Sequence, residues 1–300
     1  MPLTSESNPR VKRVVRLRKS SGSGGRRATG RFLAEGGREV SRAVAAGLAV
    51  DELYVCDELA AASGGGAVQA AQAVEAAVAA GAERVDVSER VLKKMTYHAE
   101  PEGVLAVVRR PATGLDALPA VTEAALPTAE EPLPGAGVGV GGCWLVAVGT
   151  EKPGNLGAMV RTAEAMGCGA VIAAGAAVDA FHPNAIRAST GAVFSTPIAV
   201  CDEADAIAAL RERGLAVVAA AVAGAVSLDA LALDPAGSTA VVIGPEDDAL
   251  GPAWLELARD SGGAAVRVPM AGRGVDSLNA SVTAGVVLHD VMRRRRPPGI

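Results

Sequence analysis

Three polar segments in the C-terminal half of the chain hold the residues best suited to chemistry. They span residues 151–161, 244–251 and 271–281, and each contains glycine. Each follows an apolar run short enough to be a buried strand, so each would begin where a strand ends. Arg161 lies inside a helical pattern but off its apolar stripe. Polar residues concentrated at three strand ends indicate a binding or catalytic site.

Most of these polar residues also have a plain structural explanation. Asn155 stands at the natural N-cap of the helix that follows it, and Ser277 can cap the last helix. The acids of residues 244–251 would be favourable beside a helix N-terminus. Arg161 has no such role. The acids also argue against a triphosphate site and favour a neutral or cationic ligand, such as an adenosine-type molecule with a positive centre.

Several other chemistries are excluded by missing patterns. The chain has no GxGxxG or GxxxxGK[ST] after a strand, and no GxSxG elbow. Its three histidines and four cysteines are scattered without metal-ligand spacing, so no metal site and no disulfide framework is expected. Aromatic residues make up 2% of the chain, too few for an RNA surface of stacked rings. No apolar stretch reaches membrane-spanning length, and we expect a cytoplasmic protein.

The pattern around the three segments predicts an α/β fold with a parallel sheet. Apolar strands alternate with helices, which is typical of a sheet covered on both faces. Ligands of such sheets bind beyond the carboxyl ends of the strands. The last helix is expected to place Leu278, Val282, Val286, His289 and Met292 on its apolar, buried face. The predicted strands are 144–148, 170–174, 197–200, 215–220, 239–243 and 264–268, and the predicted helices are 155–166, 183–190, 203–213, 252–258 and 278–293.

The charge distribution sets the N-terminus apart. Residues 1–31 have a net charge of +8, whereas the whole chain has −4. A basic arm on an acidic body suits a phosphate backbone, although a solvated charged tail would look the same. The candidate RNA-binding residues are Arg10, Lys12, Arg13, Arg16, Arg18, Lys19, Arg26, Arg27 and Arg31. We predict a small α/β domain over 1–112, a Pro/Gly-rich linker over 113–141 and the main domain over 142–300.

The motifs resemble those of the SpoU (TrmH) family of RNA 2'-O-ribose methyltransferases, in the SPOUT superfamily. Residues 155–164, 244–246 and 267–281 are similar to its three signature motifs, and 187–192 to the segment between the first two. Residues 8–12, 32–36 and 101–103 resemble the L30e-like domain often fused in front. The family usually has glycines after the glutamate of the second motif, where this chain has Asp247 and Ala249.

The resemblance implies a C-terminal trefoil knot that binds S-adenosylmethionine (SAM), and a homodimer with its active site at the subunit interface. Knots are nearly absent from folds, so sequence patterning alone would not suggest one. The implied catalytic positions are Arg161, Asn155, Glu246, Ser277 and Asn279. The implied cofactor-binding positions are Ala174, Gly175, Ala176, Ile243, Gly244, Val268, Met270, Ser277 and Leu278.

The implied reaction is methyl transfer to a ribose 2'-hydroxyl without a metal. A guanidinium is a poor general base, because its pKa exceeds about 12 and it has no acceptor. We therefore expect Arg161 to stabilise the developing alkoxide and bind the adjacent phosphate. The L30e-like domain favours 23S ribosomal RNA over tRNA, and some similar enzymes confer resistance to ribosome-targeting antibiotics. A non-catalytic RNA-binding protein and a nicotinamide-dependent oxidoreductase are the alternatives.

Overall fold

The computed structural model describes residues 1–62, 64–121, 142–175, 178–221, 225–246, 248–272, 274 and 277–295. The chain forms two compact units. Unit 1 contains Met1–Pro111 together with Asp179–Ser195, and unit 2 contains Ala112–Val178 and Thr196–Ile300. Helices and strands are numbered below in chain order across both units.

Unit 1 has a four-stranded mixed sheet. Its strands are β1 (Arg31–Glu35), β2 (Val50–Val55), β3 (Glu83–Asp86) and β4 (Val104–Arg109), in the order β1-β4-β2-β3. Strand β4 is antiparallel to both neighbours, and β2 is parallel to β3. The helices are α1 (Pro9–Lys19), α2 (Arg26–Thr29), α3 (Gly37–Ala45), α4 (Asp57–Ala62), α5 (Gly66–Ala79), α6 (Glu89–Met95) and α8 (Pro183–Ala188).

Helix α1 shows that residues 9–19 are not a disordered charged tail. The side chain of Asn8 accepts a hydrogen bond from the backbone N–H of Arg10, which caps the helix start. Val11, Val14 and Leu17 recur at helical spacing and are buried in the core of unit 1. The apolar stripe therefore anchors the helix, while its other faces remain available for the basic residues.

Unit 2 contains the parallel sheet that the sequence predicts. Its strands are β5 (Cys143–Val148), β6 (Ala170–Ala174), β7 (Ile198–Cys201), β8 (Ala216–Ala220), β9 (Val226–Ser227), β10 (Thr239–Ile243) and β11 (Ala264–Arg267). Their order is β7-β6-β5-β10-β8-β11-β9, and every pair is parallel. The helices are α7 (Pro153–Ala165), α9 (Glu203–Glu212), α10 (Pro252–Asp260) and α11 (Ala280–Arg295). The trefoil knot stays a prediction, because residues 273, 275 and 276 before α11 lie outside the described residues.

The unit boundaries differ from the predicted domains in two places. The described part of the expected linker belongs to unit 2, where Leu118 is buried in the core and Thr113 accepts a hydrogen bond from the backbone N–H of Val200. Most of the linker, residues 122–141, lies outside the described residues. Residues 179–195, expected in the main domain, pack with unit 1.

Helix α11 buries only part of the predicted face. Met292 is buried as predicted, but the other buried side chains include Ala284, Val287, Leu288 and Val291. Val282 and Val286 are 50% and 37% exposed, and His289 is exposed rather than a core histidine. Both faces of this helix are apolar in the sequence, so periodicity alone wrongly predicted the burial of Val282, Val286 and His289.

No helix in the described part of the chain combines the length and apolar character needed to cross a bilayer. Within the same residues, no group of three or more His, Cys, Asp or Glu side chains is placed to hold a metal ion.

Candidate active site

Three neighbouring strands of unit 2 end at one edge of the sheet. Strands β6, β5 and β10 lie side by side and run parallel. The backbone N–H of Gly149, just after β5, donates to the carbonyl oxygen of Ala174 at 2.9 Å. Ala147 of β5 pairs in register with Ile243, the last residue of β10. The segments that follow β5 and β10 therefore begin beside each other.

Glu246, after β10, contacts the start of helix α7. Because Pro153 begins the helix, Asn155 lies in its first turn and is not the N-cap that the sequence suggested. The side-chain amide of Asn155 donates to Oε1 of Glu246, and the ammonium group of Lys152 forms an ion pair with Oε2. The side chain of Asn155 is thus directed at the loop after β10.

Asn279 completes this arrangement from the third segment. Its Nδ2 donates to Glu246 Oε1 at 3.2 Å and to Asn155 Oδ1 at 3.4 Å. Its own Oδ1 accepts from the backbone N–H and the hydroxyl of Ser281, at 3.0 and 2.6 Å. Asn279 therefore stabilises the start of α11, the role predicted for Ser277. Lys152, Asn155, Glu246 and Asn279 together are called the amide–carboxylate cluster below.

A cleft of about 90 Å³ opens beside this cluster. Gly244 must approach Leu250 closely here, because a Cβ on Gly244 would lie 2.9 Å from Leu250 Cγ. A larger residue would displace the loop that positions Glu246. Carboxylates outnumber cations along the cleft, which makes it favourable for a cationic ligand and unfavourable for phosphate. The lining includes Glu151, Lys152, Asn155, Gly244, Glu246 and Asp248.

Arg161 is not part of the cluster. It lies on α7 six residues after Asn155, which rotates its side chain about 240° around the helix and shifts it about 9 Å along the axis. Arg161 is exposed, and among the described residues it has no hydrogen-bonding or ionic partner. Within one chain, the structure brings together Asn155, Glu246 and Asn279 and leaves Arg161 apart. Ser277 is exposed and does not line the cleft.

The predicted cofactor-binding residues are spread along the same edge of the sheet. Ala174 and Ile243 are buried at their strand ends, whereas Gly175 is exposed. Val268 and Leu278 are partly buried, and Met270 is 39% exposed. Of this set, Gly244 lines the cleft. Ala176 lies outside the described residues. So does Asp247, one of the two positions at which the second motif departs from the family pattern.

The predicted RNA-binding residues of unit 1 differ in the partners that their side chains contact. Arg10, Arg13 and Arg31 form ion pairs with Glu83, Glu52 and Asp51. Arg18 donates to the carbonyl oxygens of residues 94 and 96, and Arg27 is exposed. Lys12, Arg16 and Lys19 are exposed and have no carboxylate partner among the described residues. Their spacing of four and three residues places them on one face of α1, called the α1 basic face below.

The structure does not support the prediction that Arg26 binds RNA. Its side chain is 2% exposed, and its Nε donates to Asp179 Oδ2 at 2.7 Å. Its Nη1 donates to the carbonyl oxygen of Leu17 at 2.6 Å. Arg110 binds the other carboxylate oxygen of Asp179 at 2.9 Å. Arg26 is therefore a buried structural cation, and a partner 153 residues away could not be read from the local sequence.

Sequence reasoning did not assign roles to Lys152 or Asp248. Both lie in the segments singled out for chemistry, and a lysine directly before the helix-starting proline would face the acidic loop across the cleft. A cation and a carboxylate at adjacent strand ends were the sequence signal that could have indicated a role for these two residues.

Comparison with family models covers most of both units. Residues 142–289 match the model of the SpoU rRNA Methylase family, and residues 8–106 match that of the MRM3-like substrate binding domain. The predicted two-part resemblance is confirmed.

Individual relatives give the same picture. The 23S rRNA (uridine(2479)-2'-O)-methyltransferase of Streptomyces viridochromogenes is 30% identical over 65% of this chain and 61% of its own length. The 23S rRNA (guanosine-2'-O-)-methyltransferase RlmB of Nitrosomonas europaea is 33% identical over 68% of this chain and 70% of its own. The chain spans 57% to 61% of the length of two of its curated relatives. An AdoMet-bound rRNA methyltransferase from Sinorhizobium meliloti, known from its crystal structure, is 29% identical with a TM-score of 0.76, covering 98% of this chain and 97% of that one.

Proposed function

Since the chain belongs to the SpoU rRNA methylase family, we propose that it methylates a ribose 2'-hydroxyl of RNA, using SAM, and that its substrate is 23S ribosomal RNA. The observation that carries this proposal is the amide–carboxylate cluster. Asn155, Glu246 and Asn279 come from three segments distant in sequence and share hydrogen bonds at one edge of the sheet. The cap of α11 uses only the side-chain oxygen of Asn279, so the hydrogen bond from its Nδ2 to Glu246 is additional to that structural role.

The cleft fits the charge of the proposed cofactor. SAM is a sulfonium cation and supplies an electrophilic methyl group when bound. Glu151, Glu246 and Asp248 give the cleft an excess of negative charge, with Lys152 as the opposing cation. We assign cofactor binding to residues at and after the strand ends, namely Ala174, Gly175, Ile243, Gly244, Val268 and Met270, and to Ser277 and Leu278 just before α11.

The chain's own residues would act by orientation and electrostatics. Glu246 holds both asparagine amides, so their remaining donor and acceptor atoms have fixed directions before RNA binds. Arg161 donates a hydrogen bond to the 2'-oxygen while the hydroxyl proton passes to water, and it also binds the neighbouring phosphate. Fixed orientation of the hydroxyl contributes a large part of such rate enhancements.

We also propose that the active site is completed in a homodimer. Arg161 lies apart from the cluster of its own chain, so a second copy of α7 is the natural source of the missing guanidinium. Helix α11 packs against α7 and exposes Val282 and Val286 one turn apart. Exposed valines beside a catalytic helix suit a subunit interface, since apolar area buried on association stabilises a dimer.

Ribosomal RNA is favoured over tRNA because the two curated relatives named above are 23S rRNA methyltransferases and both units resemble a whole rRNA methyltransferase. An enzyme acting on ribosomal RNA would work in the cytoplasm. A finer proposal is that the modification protects ribosomes from an antibiotic that targets them. Its test is whether expression of the chain raises the antibiotic tolerance of a sensitive host.

Transfer of radiolabelled methyl from SAM to total ribosomal RNA, and separately to tRNA, tests the function. We expect label in 23S RNA at one nucleotide whose 3' linkage then resists alkaline cleavage, because a 2'-O-methyl group removes the internal nucleophile. Label in tRNA alone would keep the chemistry and overturn the substrate. RNA binding without SAM binding and without transfer would indicate a non-catalytic RNA-binding protein.

The α1 basic face is expected to supply part of the RNA affinity. Lys12→Ala combined with Arg16→Ala should weaken binding and reduce the slope of log affinity against log salt by about 1.5, since each phosphate contact releases counterions. Filter binding to 23S RNA over a salt series measures both quantities. Arg211→Ala with Arg259→Ala, exposed residues of unit 2, removes the same charge as a control. Equal effects of the two double variants would contradict a specific role for this face.

A further inference from the structure

Among the described residues, which include every Phe, Trp and Tyr of the chain, Tyr97 of unit 1 has the one exposed ring. Tyr97 is 43% exposed, whereas each of the other aromatic residues is at most 6% exposed. One exposed apolar side chain is common at protein surfaces. This ring, however, is held in place by polar contacts, and its two neighbours in sequence each contact an arginine. These surroundings indicate a binding surface.

Contacts at both ends of Tyr97 fix the orientation of its ring. The backbone N–H groups of Tyr97 and His98 donate to the carboxylate of Glu35 at 2.6 and 3.2 Å. The hydroxyl oxygen of Tyr97 accepts from Asn184 Nδ2 at 3.1 Å. The rings of His98 and His182 lie in edge-to-face geometry with it, with centroids 6.3 and 5.8 Å away. A side chain ordered in advance loses little conformational entropy when a ligand covers it.

Two guanidinium groups contact the residues directly before and after Tyr97. Arg18 Nη1 donates to the carbonyl oxygen of Thr96 at 2.7 Å. Arg187 Nη1 lies 3.2 Å from His98 Nδ1, and the Arg187 side chain is exposed. A guanidinium has five N–H donors, so these contacts leave donors that can bind a phosphate. Arg18 also belongs to helix α1, which carries the α1 basic face.

An unpaired base fits this surface better than a protein partner does. The core of a protein interface needs several apolar side chains. Within residues 89–103 and 179–195, all of which the structure describes, Tyr97 is the only large apolar side chain that is exposed. One base, in contrast, needs one ring on which to stack and one cation for its phosphate.

Carboxylates near this surface limit how much RNA it can bind. Arg187 and His98 border a cavity of unit 1, and Tyr97 is not part of its lining. That lining also includes the carboxylates of Glu35, Glu39, Glu100 and Glu102. Their negative charge would repel a long run of phosphates. We therefore expect contact with one nucleotide rather than with an extended strand.

We propose that the ring of Tyr97 stacks on one unpaired base of the RNA substrate while Arg187 binds the adjoining phosphate. Bases within a duplex are already stacked on their neighbours, so such a ring selects a nucleotide that is free to unstack. The low aromatic content of the chain excludes a row of such rings and is compatible with one. The inference rests on the proposed RNA substrate and adds a base-binding site in unit 1, whereas the amide–carboxylate cluster belongs to unit 2.

The test uses the full chain and three fluorescein-labelled RNA hairpins. One is fully paired, one has a single bulged adenosine in its stem, and the third has an abasic site at the bulge. We expect the bulged adenosine to increase affinity about tenfold over the paired hairpin, as stacking of one base on a ring provides. The abasic hairpin keeps the bent backbone without the base, so it should bind like the paired one. Fluorescence anisotropy over a salt series gives the dissociation constants.

Two kinds of variant separate stacking from charge. Tyr97→Leu keeps an apolar side chain but removes the ring, so it should lose the preference for the bulged adenosine and bind the paired hairpin unchanged. Tyr97→Phe should keep the preference. Stacking releases no counterions, so Tyr97→Leu should not alter the slope of log affinity against log salt. Arg187→Gln should reduce that slope for the bulged hairpin by about 0.7 to 0.9.

Val68→Ala is the matched control, because Val68 is an exposed apolar residue of α5 elsewhere in unit 1 and its loss should change neither quantity. Equal affinity for the bulged and paired hairpins, or a preference that survives in Tyr97→Leu, would overturn the proposal. Methyl transfer by the same preparations separates the two ideas. An active enzyme without the base preference contradicts the stacking site alone, and a preference that depends on Tyr97 without methyl transfer contradicts the catalytic proposal alone.

Discussion

Purified mixed dimers of two inactive variants, Arg161→Ala and Asn155→Ala, are expected to regain about half of wild-type methyl transfer, because each mixed dimer has one intact site of two. Each variant alone should lose activity about a hundredfold or more, as when a positioned donor is removed from an active site. The chain with Arg161→Ala keeps its Asn155 and Glu246, and the partner supplies the guanidinium. Co-expression with two different tags, followed by two purification steps, isolates the mixed dimer for the radiolabel assay.

A matched pairing controls for this recovery. Asn155→Ala with Glu246→Gln damages the amide–carboxylate cluster in both chains, so that mixed dimer should remain inactive. Arg161→Ala with Glu246→Gln should recover like the first pair. If Arg161 instead acts beside the cluster of its own chain, none of the three pairings will recover activity. A purified chain that is monomeric at assay concentration and fully active would contradict the shared site directly.

Asp179→Asn is expected to destabilise unit 1 by about 3–5 kcal/mol, because it leaves the buried Arg26 and the partly buried Arg110 without their counter-charge. Asp179 is 5% exposed and receives hydrogen bonds from Arg26, Arg110 and the backbone N–H of Phe181. Trp144 and Trp254, the tryptophans of the chain, both belong to unit 2, so their fluorescence reports on that unit. Amide exchange of residues 26–35 during urea denaturation reports on unit 1 and should show the loss.

Asp51→Asn is the matched control. Asp51 also binds two arginines, Arg31 and Arg109, at 2.7 Å each, but this group lies at the surface. We expect its loss to cost at most about 1 kcal/mol, as for exposed ion pairs. Similar losses for the two aspartates would show that burial does not determine the stability of the Asp179 network.

The ion pairs of Asp179 also determine how the free energy of unfolding changes as pH falls. Burial raises the pKa of Asp179, but the hydrogen bond from Arg26 and the positive charges of Arg110 and Arg26 outweigh it, so its pKa lies below the ordinary value. A carboxyl with a depressed folded-state pKa contributes stability above its unfolded pKa, near 3.9, and loses it as pH falls through the folded pKa. The difference between wild type and Asp179→Asn should therefore shrink below about pH 4.

The sequence predicted the sheet of unit 2 well because its strands are uninterrupted apolar runs. The predicted 170–174 and 239–243 coincide with the observed strands, and the others differ by one or two residues. A strand buried on both faces leaves little ambiguity about where it begins and ends. The helix boundaries were predicted less accurately. Helix α7 begins at Pro153, two residues before Asn155, the predicted N-cap.

The failures share a dependence on distant partners. Helix α11 offers two apolar faces, and which one is buried depends on α7 and β10 rather than on its own period. In the sequence, Arg26 cannot be distinguished from its basic neighbours, because its partner Asp179 lies 153 residues away. The convergence of Asn155, Glu246 and Asn279 was implied by family resemblance, but the role of Lys152 required the geometry of the cleft.

The insertion of residues 179–195 into unit 1 also affects the order of events during synthesis. Phe32 packs against Phe181 and Phe194, with ring centroids 4.7 and 5.4 Å apart, and Arg26 needs Asp179. A nascent chain that ends at residue 111 therefore lacks part of its own core and the counter-charge for two arginines. Although it is made first, the N-terminal unit must wait on the ribosome until β5, α7 and β6 have been translated before it can finish folding. At elongation rates of about 5–20 residues per second, that wait lasts several seconds, during which Phe32 lacks both of its ring partners.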